Sequence, residues 1–400
     1  MSRRVWVKVH RYAGLYMALF LTVAGLTGCL LAFLAELEGA LNPQYRVDES
    51  NAAVFDPLSL REKLLQRLPQ ARVDNLPLHR QPGEALHLWI EMPAAEGSGE
   101  MVTTALVLDP YTDAEISRRN TDIWPLTRKN LMAFVYRLHY SLALGEPGLW
   151  LFGIAAMVWT LDCFVGAYLT LPVRIHPRED ARTLTPPRAW LRRWSRAWTV
   201  NWRGSAWRVN FDLHRASGLW VWAMLFVFAW SGVAFNLGDQ VYRPVMRLAF
   251  GMTDPIGELP LRPQPASAPS MAWPAAHRVG RVLMAEQARA RGFTLVREQM
   301  LSHDSERGIY RYAVLSSRDV NEKWGSTTVA FDAATGAFLA LNLPTGQDVG
   351  TTITQWLLAL HTAHLWGWPM QVFVCAMGLI VATLSITGSI LWLKRVFLSN

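Results

Sequence analysis

Four long stretches of this 400-residue chain are almost free of charged side chains. They cover residues 12–35, 147–173, 216–238 and 349–393, and Asp162 is the single charged residue inside them. Each stretch is long enough to cross a bilayer, which takes about 20 residues of helix. The pattern therefore predicts four transmembrane helices. Their expected ranges are residues 1–36, 137–173, 207–238 and 354–400.

The two long connections between the predicted spans, residues 37–136 and 239–353, have the patterns of soluble domains. Each contains an amphipathic helix followed by strands in which apolar and polar residues alternate. The first connection predicts a helix over Leu58–Leu68 and strands in EALHLWIEM and TTALVLD. The second predicts a Pro-rich linker, ELPLRPQPASAPS, a helix over Ala272–Ala290, strands in GIYRYAVLSS and STTVAFD, and a turn at Asp332, Thr335 and Gly336. We expect two small α+β domains, each with its own core.

The same landmarks occur twice along the chain, in the same order. The motif HRYAGLY at His10 is matched by HRASGLW at His214, and RLHYSL at His139 is matched by ALHTAH at His361. Between them, VLDPYTDA corresponds to AFDAATGA. Repeated landmarks at constant offsets indicate a duplication. The predicted fold class is membrane α-helical, with four transmembrane helices in two tandem repeats that each carry a small α+β domain.

Basic residues determine the expected orientation in the membrane. Lys and Arg are concentrated at the N-terminus, in the loop over residues 174–206 and at the C-terminus, so the positive-inside rule places both termini and this loop in the cytoplasm. The formal net charge of +8 then follows from topology and does not indicate nucleic-acid binding. Because Cys29, Cys163 and Cys375 all lie in predicted spans, disulfides are not expected to hold the external domains together.

Four of the ten histidines coincide when the two halves are aligned, and all four lie at the mouths of predicted spans. His10 and His214 fall on the cytoplasmic side, whereas His139 and His361 fall on the outer side. A pseudo-twofold axis along the membrane normal would bring each pair to a common depth. A boundary histidine is often only an amphipathic anchor, but the duplication favours two bis-histidine sites, one near each surface.

Haem fits a pair of histidines better than zinc does. Structural zinc needs four Cys or His ligands and catalytic zinc three, whereas haem iron needs only two axial ligands. Gly14 and Gly218 lie one helical turn beyond the first pair and would leave room for the macrocycle, although close helix packing explains such glycines equally well. The expected cofactor is haem b, two per chain. The expected iron ligands are His10 with His214 and His139 with His361.

Two further residues are left open by the sequence. His364 lies three residues from His361 on a similar helical face, so either side chain is a candidate cofactor ligand. The duplication favours His361, because Leu142 corresponds to His364. Asp162 is the one charge well inside a span, and a hydrogen bond to a histidine, a proton path or a water-facing position would each explain it. Its counterpart in the second half is Leu384, so any role concerns one site only.

These motifs resemble the bacterial PepSY-associated transmembrane-helix proteins. The resemblance rests on VHRYAGLYMALFLTVAGLTG and LHRASGLWVWAMLFVFAWSG, on the LH openings at His139 and His361, and on LDPYTD and FDAATG, which look like the end of a PepSY domain. It covers nearly the whole chain. Within the family, the sequence looks most like the inner-membrane reductases of ferric siderophores, of the ferrioxamine type, which hold haem between their helices.

The resemblance implies a multi-pass enzyme of the bacterial inner membrane with two PepSY-like periplasmic domains. It would reduce Fe(III)-siderophore to Fe(II) in the periplasm for iron release. Its partners would be a ferric siderophore of the hydroxamate type and a separate electron donor, either a flavoprotein or a membrane quinol, since the chain has no G-x-G-x-x-G motif. The alternative is a non-enzymatic periplasmic binding or regulatory protein that assists siderophore uptake or a peptidase.

The distance between the two histidine pairs depends on whether the helices that carry them are continuous. His139 precedes Arg174 by 35 residues, which would be about 52 Å of continuous helix at 1.5 Å per residue. We therefore expect GEPG at Gly145 and GWP at Gly367 to break these helices and fold the histidine segments inward.

Overall fold

The computed structural model describes residues 2–47, 54–80, 83–94, 100–120, 127–173, 187–264 and 269–397. Its helices are α1 Arg3–Leu31, α2 Leu34–Leu41, α3 Pro57–Arg67, α4 Leu131–Ser141, α5 Glu146–Thr170, α6 Pro187–Ser195, α7 Ala206–Trp220, α8 Trp222–Asn236, α9 Arg243–Phe250, α10 Trp273–Arg291, α11 Val349–His361 and α12 Trp368–Phe397. Its strands are β1 Asn75–Pro77, β2 Leu86–Pro93, β3 Met101–Leu108, β4 Glu115–Asn120, β5 Leu295–Asp304, β6 Ile309–Ser316, β7 Thr327–Asp332 and β8 Phe338–Asn342. Residues 174–186 of the predicted cytoplasmic loop and 265–268 of the predicted linker lie outside the described residues.

The chain divides into two compact units, each built from several segments. The helical unit comprises residues 1–34, 132–245 and 360–400, and the α+β unit comprises residues 35–131 and 246–359. In the helical unit, α1, α5 and the Trp368–Lys394 part of α12 are long and apolar enough to cross a membrane. α7 and α8 pass the same test only as a pair bent by 73°. The described chain therefore has three candidate spans, or four if the bent pair is one span.

A bend replaces the single helix that the sequence predicts over residues 207–238. α7 ends at Trp220 and α8 begins at Trp222. Ser217 and Gly218 lie just before the bend, and Ser217 Oγ donates to the carbonyl four residues earlier at 2.7 Å. Ser–Gly pairs and hydroxyls that bond back to the helix loosen the regular hydrogen-bond ladder and favour bending. The residue of α1 that corresponds to Ser217 is Ala13, and α1 is continuous.

Turns also divide the predicted spans over residues 137–173 and 354–400. α4 ends before the turn that leads into α5, and α11 ends before the turn that leads into α12. Gly145 and Gly367 close these turns with φ of 65° and 58°, a conformation that costs glycine little. The expected breaks at both glycines are confirmed. His139 and His361 therefore lie on short helices that precede the long ones.

α1 and α12 approach each other closely through small residues. A Cβ at Gly25 would lie 2.5 Å from the carbonyl oxygen of Gly378, so only glycine allows this contact. Near the same contact, Cys29 and Cys375 are joined as a disulfide, with Cα atoms 3.9 Å apart. The third cysteine, Cys163, is free and buried. A helix of the first half and a helix of the second are thus in direct contact.

The α+β unit contains two antiparallel sheets. One has the order β2-β3-β4, with Leu88 opposite Leu106. The other has the order β1-β5-β6-β7-β8, with Leu76 opposite Leu301. β1 belongs to the first connection, whereas β5 to β8 belong to the second. One strand of the first connection therefore completes the sheet of the other.

The two connections share one hydrophobic core, which differs from the expectation of two separate domains. Leu60, Leu64 and Leu106 of the first connection belong to the same buried cluster as Tyr310 and Phe331 of the second. A three-stranded sheet with one helix has little apolar surface to bury alone, so a joint core is the more stable arrangement. The elements that the sequence predicts are nevertheless confirmed as α3, α10, β2, β3, β6 and β7.

The predicted turn at Asp332 is confirmed as well. The Asp332 carboxylate accepts hydrogen bonds from the backbone N–H groups of Ala334 and Thr335, at 2.9 and 2.8 Å. Gly336 follows with φ of 74°. An aspartate that binds its own following backbone is the usual start of such a turn.

Candidate cofactor sites

His10 and His214 face each other inside the helical unit. His10 is on α1 and His214 is on α7, and their ring centres are 6.2 Å apart, with the ring planes inclined by 58°. The His10 side chain is one-third exposed, whereas its partner Asp162 on α5 is 8% exposed. The structure thus brings together the first pair that the duplication predicts.

His139 and His361 form the second pair with the same separation. Their ring centres are also 6.2 Å apart, and the ring planes are inclined by 79°. His139 lies near the end of α4, and His361 is the last residue of α11. The rings of Phe228 and Phe235 each lie 5.2 Å from the His361 ring, centre to centre, and fix it from two directions.

The shared spacing matches two imidazoles bound on opposite sides of one metal ion. A metal at the midpoint would lie 3.1 Å from each ring centre, which is half of 6.2 Å. A metal–imidazole bond takes about 2 Å of that length, and the remaining distance of about 1 Å separates a ring nitrogen from the ring centre. Rotation about the ligand axis does not change the separation, so the two different ring angles fit the same arrangement.

Hydrogen bonds at Nδ1 determine the tautomer of the first pair. The Asp162 carboxylate lies 2.9 Å from His10 Nδ1, and the Leu384 carbonyl lies 3.1 Å from His214 Nδ1. An ionised carboxylate and a carbonyl can only accept, so both rings donate their Nδ1–H. The lone pair is then on Nε2, the nitrogen that remains for a metal.

The second pair reaches the same tautomer through hydroxyl groups. Thr27 Oγ1 lies 3.0 Å from His139 Nδ1, and Ser231 Oγ contacts His361 Nδ1. Each hydroxyl already donates its single proton to the carbonyl four residues earlier in its helix, at 2.6 and 2.7 Å. Both oxygens therefore accept from Nδ1–H, and Nε2 carries the lone pair in all four rings.

Sequence analysis missed the hydroxyl residues that contact the rings. They are Thr27, Ser231 and Thr387, the last of which lies 3.1 Å from His214 Nδ1. Thr27 and Ser231 occupy corresponding positions in the two halves. A hydroxyl retained in both halves of an apolar span was therefore the available signal.

Three glycines border the imidazole rings: Gly28 at His139, Gly166 at His10 and Gly388 at His214. A Cβ at Gly28 or Gly388 would lie 3.1 Å from the ring Cε1, which is tighter than an ordinary contact. A Cβ at Gly166 would lie at 3.5 Å, which is an ordinary contact. Gly166 and Gly388 occupy corresponding positions in the two halves.

For Gly14 and Gly218, the sequence left open whether they make room for a macrocycle or allow close helix packing. A Cβ at Gly14 would meet nothing within 4 Å, and one at Gly218 would meet only Leu384 at 3.8 Å. Close helix packing therefore does not explain Gly14.

Asp162 contacts a histidine of the first pair. Both carboxylate oxygens lie 2.9 Å from His10 Nδ1. Of the three explanations left open by the sequence, the hydrogen bond to a histidine is the one present. Leu384, the corresponding residue of the second half, contacts His214 through its carbonyl instead.

The structure corrects the helical position expected for His364. α11 ends at His361, and Ala363 has φ of 57°, so His364 lies in the turn and not three residues along the same helix. The ring that faces His139 is that of His361. Non-glycine residues rarely adopt positive φ, and Leu142, Ala143, Ala363 and Trp366 all do so in the two turns after the second pair.

The two pairs lie closer together than a continuous helix would allow. On α1, His10 belongs to the first pair and Thr27 contacts the second, and 17 residues of helix correspond to about 26 Å. This is half of the 52 Å or so that an unbroken helix from His139 to residue 174 would give. The turns after α4 and α11 produce the difference.

Each pair brings together two histidine side chains. Among the described residues, no group of three or more His, Cys, Asp or Glu side chains is arranged to hold a metal ion. A metal with only two protein ligands needs an equatorial group from elsewhere, and a porphyrin supplies four nitrogens of that kind. That these histidines bind haem stays a prediction.

Comparison with known proteins gives one match. The model of a protein family described as the PepSY-associated TM region matches residues 7–395, a range that includes all four paired histidines and both connections. A search of curated proteins finds no match.

Proposed function

The chain belongs to the family of PepSY-associated transmembrane proteins, and we propose that it is a haem-containing reductase that carries electrons across the membrane to a ferric siderophore. The observation that supports this function is the geometry of the two histidine pairs. In each pair the ring centres are 6.2 Å apart, and both Nδ1–H groups donate a hydrogen bond to an acceptor. The multi-pass character of the chain, with three candidate spans among the described residues or four if the bent pair is one span, suits such a role.

In this proposal His10 and His214 would hold one haem b, and His139 and His361 would hold a second, each through Nε2. Haem supplies a metal centre that takes up and releases single electrons. The side chains keep the four rings in the Nδ1–H tautomer and at the required spacing.

Between the two pairs, the chain provides an apolar interior. Cys163, Leu225, Ala229, Met377 and Val381 form a buried cluster on α5, α8 and α12. Such packing excludes water and keeps the local dielectric low, so that a charge moving between the sites is not trapped by solvent.

The chemistry of iron release explains why a reductase needs no acid or base catalyst. Hydroxamate oxygens are hard ligands that bind Fe(III) far better than Fe(II), so one electron is enough to weaken the complex. The distribution of Lys and Arg favours a periplasmic position for His139 and His361 in a bacterial inner membrane. Electrons would enter at the other pair from a separate flavoprotein or from a quinol.

Anaerobic mixing tests this function. The purified full-length chain is reduced with dithionite, excess reductant is removed, and ferric hydroxamate siderophores are added while the haem spectrum is recorded. We expect at least one ferric complex to reoxidise the protein. The gallium complex of the same siderophore, which has the same charge and size but is not reduced, should leave the spectrum unchanged.

Two results would favour the binding or regulatory alternative. One is a purified chain without a Soret band, or a Soret band that keeps its full intensity when His10, His139, His214 and His361 are each replaced by Ala. The other is a reduced chain that no ferric siderophore in the panel reoxidises. The first result would leave the paired histidines with a structural role only, whereas the second would leave the haems in place and remove ferric siderophores as the substrate.

A further inference from the structure

One of the four paired imidazoles differs from the others in the charge of its partner. His10 donates its Nδ1–H to a carboxylate, that of Asp162, which is 8% exposed on α5. His214 donates to the Leu384 carbonyl and lies 3.1 Å from the Thr387 hydroxyl, and the second pair donates to two hydroxyls. The three other rings thus face neutral acceptors.

The duplication makes this difference specific to one site. Asp162 and Leu384 occupy corresponding positions, and both supply the acceptor for the histidine of their own half. A helix carbonyl is enough to fix the tautomer at His214, so the tautomer of His10 does not require a carboxylate. Burying an unneeded charge in a membrane helix is costly, which favours a functional reason for Asp162.

A carboxylate behind a ligating histidine changes the electronic character of the metal site. It draws the Nδ1 proton toward itself, which makes Nε2 a stronger donor to the metal. Its negative charge also stabilises the more positive, oxidised state of the site, and it does so strongly in a medium of low dielectric. Both effects act in the same direction and lower the reduction potential.

We propose that Asp162 is a positioning residue that sets the direction of electron flow, an inference that rests on the proposed function. By making His10 a stronger ligand, it lowers the reduction potential of the site at His10 and His214 below that of the site at His139 and His361. With a haem bound at each pair, one electron would pass downhill from the first site, which would be oxidised, to the second, which would be reduced. No bond to hydrogen is made or broken in this step.

Spectroelectrochemical titration of the full-length chain in lipid nanodiscs tests the role of Asp162. In Asp162→Asn, we expect the lower of the two reduction potentials to rise by at least about 59 mV. For one electron, this shift is a tenfold change in the ratio of reduced to oxidised site. The higher potential should not move. Asp162→Glu should restore much of the difference, because it returns the charge. Asp239→Asn is the matched control, because it removes the charge of a carboxylate that is 76% exposed and contacts neither pair, and it should leave both potentials unchanged.

A second measurement keeps the proposal testable if Asp162→Asn fails to bind haem at its site. His139→Ala should retain only the haem of lower potential, and His10→Ala only the haem of higher potential. Two results would overturn the role of Asp162 and leave the reductase proposal intact. One is that His139→Ala retains the haem of higher potential and His10→Ala the haem of lower potential. The other is that Asp162→Asn retains both haems with unchanged potentials. A wild-type chain that holds no haem would overturn both.

Discussion

The two histidine pairs have the same ring separation but are built by different means. His10 and His214 lie within α1 and α7, so regular helix geometry and the neighbouring helices position them. His139 and His361 lie at or near the ends of short helices, directly before turns that contain non-glycine residues with positive φ. The comparison teaches that one spacing can be reached through helix packing alone or through a strained turn, and that the two sites should respond differently to substitution.

The largest expected effect is the loss of one haem when one member of a pair is removed. His10→Ala or His361→Ala should each lower the haem content from two per chain to one, and the double variant should lower it to none. The measurement is haem per chain by pyridine haemochrome assay. His364→Ala is the control and should keep both haems, because its residue lies beyond the end of α11. A full haem content in either single variant would contradict the assignment of the pairs.

A smaller effect is expected from the hydroxyl acceptors of the second pair. Thr27→Val should weaken haem binding at this pair by about 10-fold to 100-fold, as is typical for partners that orient a metal-bound histidine. Thr27→Ser should preserve binding, because it retains the acceptor for His139 Nδ1. Haem transfer to apomyoglobin measures the affinity. Equal retention by the Val and Ser variants would show that the hydroxyl does not hold the ring.

Two corresponding glycines offer a matched test of the first pair. Gly388→Ala places a Cβ 3.1 Å from His214 Cε1, so the ring must shift by a few tenths of an ångström. We expect haem affinity to fall, but by less than the fall in haem affinity expected for Thr27→Val. Gly166→Ala places a Cβ 3.5 Å from His10 Cε1 and should be tolerated. The same apomyoglobin assay compares them. Greater loss in Gly166→Ala would mean that the ring contacts are not as described.

The smallest effect concerns α11, the helix that carries His361. Asp348 accepts from the backbone N–H of Thr351 in the first turn of this helix at 2.6 Å. Burial opposes its ionisation, but hydrogen bonds from Thr253 and Thr351 outweigh burial and hold the pKa of Asp348 below its usual value. Its stabilisation is therefore present above the unfolded pKa of about 3.9 and is lost as pH falls through the lower folded value.

Asp348→Ala should accordingly cost about 1 kcal/mol of stability at neutral pH. The difference from wild type in thermal unfolding should shrink as the pH falls below the folded pKa. Asp239→Ala is the control, because the Asp239 side chain is 76% exposed and its ion pair with Arg243 contributes little. A difference that persists at low pH would show that the carboxylate charge is not what stabilises α11.

Local patterns predicted the long helices and half of the strands but not how distant segments combine. The alternating strands of β2, β3, β6 and β7 and the amphipathic helices α3 and α10 follow from local periodicity. β1 has only three residues, Asn75–Pro77, and no periodic pattern, so its pairing with β5 was not predictable. The shared core of the two connections follows from this long-range pairing.

The duplication predicted which histidines of the candidate sites lie together. It paired the four histidines and assigned His361 over His364. It did not reveal the acceptors at Nδ1, because Thr27 and Ser231 contact the rings only once α4 and α11 have been folded back by their turns. The bend at Val221 was missed because apolar periodicity continues through it, while Ser217 and Gly218 act on the backbone.

Electron paramagnetic resonance of the oxidised, purified wild-type chain tests the central claim most directly. Two bis-histidine sites predict two low-spin ferric haem signals that together account for two haems per chain. Replacement of His10 should remove one signal, and replacement of His139 should remove the other. A high-spin spectrum, or a chain that carries no haem, would contradict the account.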